Sequence, residues 1–90
     1  MKRREMTKEQ LKARIIRRLE RLMLNMESII RDKQHWNKTR TDAEPFDMGW
    51  EISVRDAAKQ ELAAWNRGDM KAVGVMAGRL SRLVRMPEAM

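Results

Sequence analysis

Residues 7–36 read TKEQLKARIIRRLERLMLNMESIIRDKQHW, and the period of this stretch decides the fold. Thr7 and Gln10 form a T-x-x-Q capping box, and Met6 and Leu11 stand where a hydrophobic staple needs them, so a helix begins at Thr7. Apolar residues then recur at Ile15, Leu19, Leu22, Met26, Ile29 and Trp36 in alternating steps of four and three, broken only by Lys33. Ile16, Met23 and Ile30 add a second row seven apart. A stripe about three positions in seven wide suits a helix lying on a globular core better than the narrow seam of a two-stranded coiled coil. Leu24 falls outside the stripe, and the pattern gives no reason for it.

Beyond Trp36 the period lapses into NKTRTDAEP, residues 37–45, closed by a proline that disfavours a helical predecessor. Asp47 is placed to cap a second helix reaching Asn66, with Trp50, Val54, Ala57, Ala58, Leu62 and Trp65 on one face. Trp50, Ile52 and Val54 also alternate with polar residues as a short strand would. The good helix formers from Arg55 to Ala64, and the lack of a partner strand, favour helix. Gly68 suits a left-handed helix end and Asp69 a new cap, so residues 67–68 turn the chain into a helical hairpin. The third helix, Asp69–Met86, presents Val73, Met76, Leu80, Leu83 and Val84 and ends before Pro87. Gly74 and Gly78, one turn apart within it, suggest a close backbone approach, a bend or a later helix start.

The expected architecture is therefore all-α: a small three-helix bundle with a long N-terminal amphipathic helix and a C-terminal helical hairpin. One domain spans residues 1–90, with a basic tail at 1–6, a polar loop at 37–46 and a short tail at 87–90. Ninety residues bury one small core. The first helix exceeds its partners in length, so its end is expected either to protrude or to be covered by a second copy in a homodimer.

Twenty Lys and Arg against thirteen Asp and Glu give a formal charge of +7. Residues 1–40 hold 13 bases and 5 acids (+8), residues 41–69 hold 3 and 7 (−4), and residues 70–90 hold 4 and 1 (+3). The bases concentrate at the two ends. With no cysteine, a disulfide framework, a thiol nucleophile and a cysteine-based zinc site are excluded. No apolar run approaches a membrane span and the start carries no hydrophobic signal core, so a cytoplasmic protein with no membrane partner is expected.

Few residues suit catalysis. His35 is the single histidine, beside Trp36 near the expected end of the first helix, where a helix-end or surface role is favoured over that of ligand or base. Asp42, Glu44 and Asp47 lack the spacing of a calcium loop, and the four glycines match no phosphate-binding loop. No enzyme, metal site or cofactor is expected. A helix-turn-helix is disfavoured because Gly68 and Asp69 break the chain where that motif needs helix.

The basic faces carry the functional expectation. Arg14, Arg17, Arg18 and Arg21 are spaced i, i+3, i+4, i+7 and share a face broadly opposite the apolar stripe. Glu20 is placed to reach Arg17, and Glu27 to reach Arg31. Lys2, Arg3, Arg4, Lys8 and Lys12 extend the positive region, and Arg79, Arg82 and Arg85 form a shorter ridge on the third helix. Guanidinium forks suit phosphates and carboxylates. The leading expectation is a small non-enzymatic regulatory or accessory protein whose basic helix faces bind nucleic acid or a nucleic-acid-handling complex. The alternative is an inhibitor or adaptor of the kind mobile elements encode, blocking a host complex by protein contact. The partner is then nucleic acid or the acidic protein surface of a nucleoprotein complex.

Trp36, Trp50 and Trp65 lie on apolar faces and serve either as core or as partner anchors. Two charges break their stripes, Lys33 in the first helix and Glu61 in the second. They are expected to face each other in the fold, to mark where an oppositely charged partner docks, or to lie at the edge of contact with Lys33 snorkelling.

Overall fold

A computed structural model describes residues 6–40 and 44–85, in the order α1 (Lys8–Thr39), α2 (Gly49–Arg67) and α3 (Met70–Arg85). Lys2, Arg3, Arg4, Asp42, Met86, Pro87 and the tails at 1–5 and 87–90 lie outside the described residues. The chain forms a small all-α bundle, and the segment 50–54 is helical.

α1 starts as its sequence dictates. Gln10 N donates to Thr7 Oγ1 at 3.1 Å and Thr7 N to Gln10 Oε1 at 3.0 Å, so each residue satisfies a backbone donor that the first helical turn leaves unpaired. The helix continues three residues past Trp36, into the stretch expected to be loop, and Arg40 N closes it on Trp36 O at 2.9 Å. Asn37 explains much of that extension. Its side chain accepts from Phe46 N at 2.7 Å and donates to Phe46 O at 3.2 Å, so the connection is tied to the last turn of α1 rather than to a chain already unwound.

α2 opens one step later than expected. Asp47 Oδ1 accepts from Gly49 N at 2.9 Å, a local bond across two residues, and Met48 takes the cap position without a side-chain bond. The far end follows the sequence. Gly68 adopts φ +72°, Asp69 N reaches back to Ala64 O at 3.0 Å, and Asp69 Oδ1 caps α3 through Ala72 N at 3.1 Å.

α2 is the middle element. α1 and α3 both pack against it, and no Cα of α1 comes within 8 Å of one in α3. The small side chains Ala57, Ala58 and Ala64 are buried on α2, which lets neighbouring helices approach its backbone. Leu19 and Met26 from α1, Val54, Ala57 and Ala58 from α2 and Leu80 from α3 form the core, with Ile15, Leu22, Trp50, Leu62, Trp65 and Leu83 packed around it. Trp50 Nε1 donates to Leu83 O at 2.8 Å and ties the start of α2 to the end of α3.

The core does not extend along all of α1. Residues 8–14 are exposed throughout, so the first two turns of α1 stand clear of the other helices. The Cα radius of gyration is 16.5 Å, against roughly 12 Å for a compact domain of this length.

Gly74 and Gly78 accompany no close approach. α3 runs unbroken through both, and a Cβ at either would meet nothing within 4 Å.

Candidate functional site

Lys33 and Glu61 do not face each other. Lys33 Nζ is ion-paired with Glu51 in the first turn of α2 and donates to Asp47 O at 3.1 Å. The cause is the antiparallel register: the C-terminal half of α1 lies beside the start of α2, whereas Glu61 is ten residues further on, about 15 Å along the helix. Glu51 is only 2% exposed, and its Oε1 is buried without a hydrogen-bond partner. The Lys33 ammonium and the positive end of α2 are what offset its charge.

Glu61 is nearly as deeply placed, at 5% exposed, but has no ion pair with a described residue. Trp65 Nε1 donates to its Oε2 at 3.2 Å, and no other described residue bonds to or pairs with it. Glu61 lines a groove of about 650 Å³ that runs between α1 and α3. Ile15, Leu19 and Leu22 of α1 and Ala77, Leu80 and Val84 of α3 supply its apolar walls. Arg18 and Arg21 from α1 and Arg85 from α3 also line it.

The four arginines expected broadly opposite the apolar stripe do not all stand there: Arg18 and Arg21 border it, since both line the groove with Ile15, Leu19 and Leu22. Arg14, Arg17, Arg18 and Arg21 are all exposed and line a shallow concavity with Met6, Gln10 and Ala13. None of the four has an ion pair with a described residue, and neither Glu20 with Arg17 nor Glu27 with Arg31 forms one. Four guanidiniums thus stand over about 10 Å of helix with no ion pair among the described residues. Arg18 and Arg21 belong to both surfaces, since they turn from this face toward the groove. On α3, Arg79, Arg82 and Arg85 are exposed, and only Arg85 reaches the groove.

The three tryptophans divide. Trp50 and Trp65 are half-buried against the core, each with its indole N–H bonded within the fold. Trp36 is 51% exposed, and the Arg40 guanidinium lies 5.6 Å from its ring centroid. His35 is exposed, and its backbone carbonyl accepts from Thr39 Oγ1. Glu44 and Asp47 are exposed, and among the described residues no three His, Cys, Asp or Glu side chains converge as a metal cluster would. No described helix is long and apolar enough to cross a membrane.

The groove has no signature in the periodicity, because its two walls come from helices whose Cα atoms stay more than 8 Å apart and whose separation is set by α2. The available signal was Glu61, a charge inside an apolar arc. No family model matches the chain, and neither a curated protein nor a solved structure matches it. Its functional reading therefore rests on these surfaces.

Proposed function

We propose that this chain is a non-enzymatic binding protein whose α1 arginine face engages the phosphate backbone of nucleic acid, alone or within a nucleic-acid-handling complex. The observation that carries this reading is the set Arg14, Arg17, Arg18 and Arg21, exposed on one face and without an ion pair among the described residues. Duplex DNA presents a negative charge about every 1.7 Å of its axis, so a helix face about 10 Å long lies within reach of four phosphates. The exposed first turns of α1, which add Lys8 and Lys12, let a bulky polyanion approach without meeting α2 or α3. Contacts of this kind position a protein and read no sequence, so affinity depends on salt more than on base composition.

The experiment is a salt titration of binding to unrelated duplex and single-stranded oligonucleotides. Binding at low salt that falls with a log–log slope of about −3.6 on duplex, the value for four released counterions, supports the reading. Absence of binding at low salt overturns it.

A further inference from the structure

We propose that the groove between α1 and α3 is a docking site for an amphipathic helix of a partner protein, acidic along its flanks and carrying one basic or amide side chain that reaches Glu61. This goes beyond the nucleic-acid reading and shares Arg18 and Arg21 with it, while Arg14 and Arg17 lie outside the groove and tell the two apart.

The shape of the groove points to a helix. Its α1 wall runs from Ile15 to Asn25, about 15 Å, which matches nearly three helical turns. α1 and α3 both pack on α2 without approaching each other within 8 Å between Cα atoms, as two diagonal members of a four-helix bundle do, so a helix in the groove takes the fourth position, packed on α1 and α3 with Glu61 of α2 facing it. On the α3 side, Ala77 and Ser81 keep the wall low enough for a helix backbone to come close. Leu22, Leu80 and Val84 offer the apolar seat that a helix-in-groove contact uses. Val84 is half exposed in the chain by itself.

Charge selects the occupant. Arg18, Arg21 and Arg85 line the groove and have no ion pair among the described residues, which suits carboxylates on the two flanks of an incoming helix. A second copy of this chain is a poor fit, since the exposed start of α1 would bring Lys8, Lys12 and Arg14 against that rim and each copy carries a net +7. A polyanion would satisfy the rim but would press its phosphates toward Glu61 and cover apolar walls with charge.

Glu61 is the second, independent observation. The Glu61 carboxylate, on a residue 5% exposed, accepts one bond from an indole N–H and lines the groove, whereas Glu51 is met by a lysine drawn from the facing helix. A donor from the partner pairs with Glu61 as Lys33 pairs with Glu51. The same group rejects a helix that presents only apolar or acidic residues at that point.

The test is selection from a displayed library of helical peptides about 14 residues long, amphipathic in pattern and random at flank and centre positions, against the full chain. Selected sequences are expected to carry Asp or Glu on both flanks and Lys, Arg or Gln within the apolar stripe. A synthetic peptide of that sequence should bind at least tenfold more weakly to Ser81→Trp, which fills the groove, and to Arg18→Glu combined with Arg85→Glu. It should also bind Glu61→Gln at least tenfold more weakly when its central residue is Lys, while Lys59→Gln, on α2 and outside the groove, leaves affinity unchanged. Circular dichroism and thermal unfolding of each variant separate lost binding from lost fold. The proposal is overturned if no selected peptide distinguishes wild type from a folded Ser81→Trp chain, or if the selected flanks are not acidic. It is equally overturned if an oligonucleotide, rather than a peptide, shifts the amide resonances of Ala77 and Leu80.

Discussion

The Lys33 ammonium of α1 is paired with the Glu51 carboxylate in the first turn of α2, and this contact fixes how the two helices run past each other. Lys33 also donates to Asp47 O, while Asn37, one turn on, holds Phe46 by both backbone groups. Two side chains on one face of α1 therefore set where α2 begins.

Removing the cation should leave Glu51 buried and unpaired. Lys33→Met is expected to destabilise the fold by about 3 kcal/mol. The double variant Lys33→Met with Glu51→Leu should recover most of that loss, because an apolar pair of similar volume needs no desolvated charge. Urea unfolding of the two single variants and the double variant measures the coupling.

The Asn37 clamp is exposed and should contribute less. Asn37→Ala is expected to cost about 1 kcal/mol, the net worth of ordinary hydrogen bonds lost near solvent. The Phe46 amide should lose protection in hydrogen exchange while amides in the middle of α2 keep theirs.

The glycines should respond in opposite directions. Gly74→Ala and Gly78→Ala meet open space in a continuous helix and are each expected to stabilise by about 0.5–1 kcal/mol. Gly68→Ala forces a side chain into φ +72° and should destabilise by about 1 kcal/mol or more. Thermal midpoints of the three variants test the signs directly.

Local features were legible in the residues because they depend on neighbours along the chain. The Thr7–Gln10 box, the Gly68 turn and the Asp69 cap need only four or five residues each, and all three form. Leu24, outside the stripe, is 59% exposed, as its position on the wheel implies. Asp47 was less legible, since a carboxylate two residues before a helix and one at its cap look alike in sequence. Pairing between helices was not legible at all. Lys33 and Glu61 both contradict their stripes, yet which residue each meets depends on the length of the connection and the register across α1 and α2. The groove depends on one more quantity invisible to periodicity, the separation that α2 imposes between α1 and α3.

The arginine face is the center of the functional account, and Arg14 and Arg17 are the two of its members that lie outside the groove. The most direct test compares the salt dependence of duplex binding for the wild-type chain and a folded Arg14→Ala, Arg17→Ala variant. If both residues meet phosphates, the log–log slope should fall in magnitude by about 1.8 and affinity at low salt should drop equally on unrelated sequences. A variant that folds normally and keeps both the wild-type slope and the wild-type affinity would contradict the account.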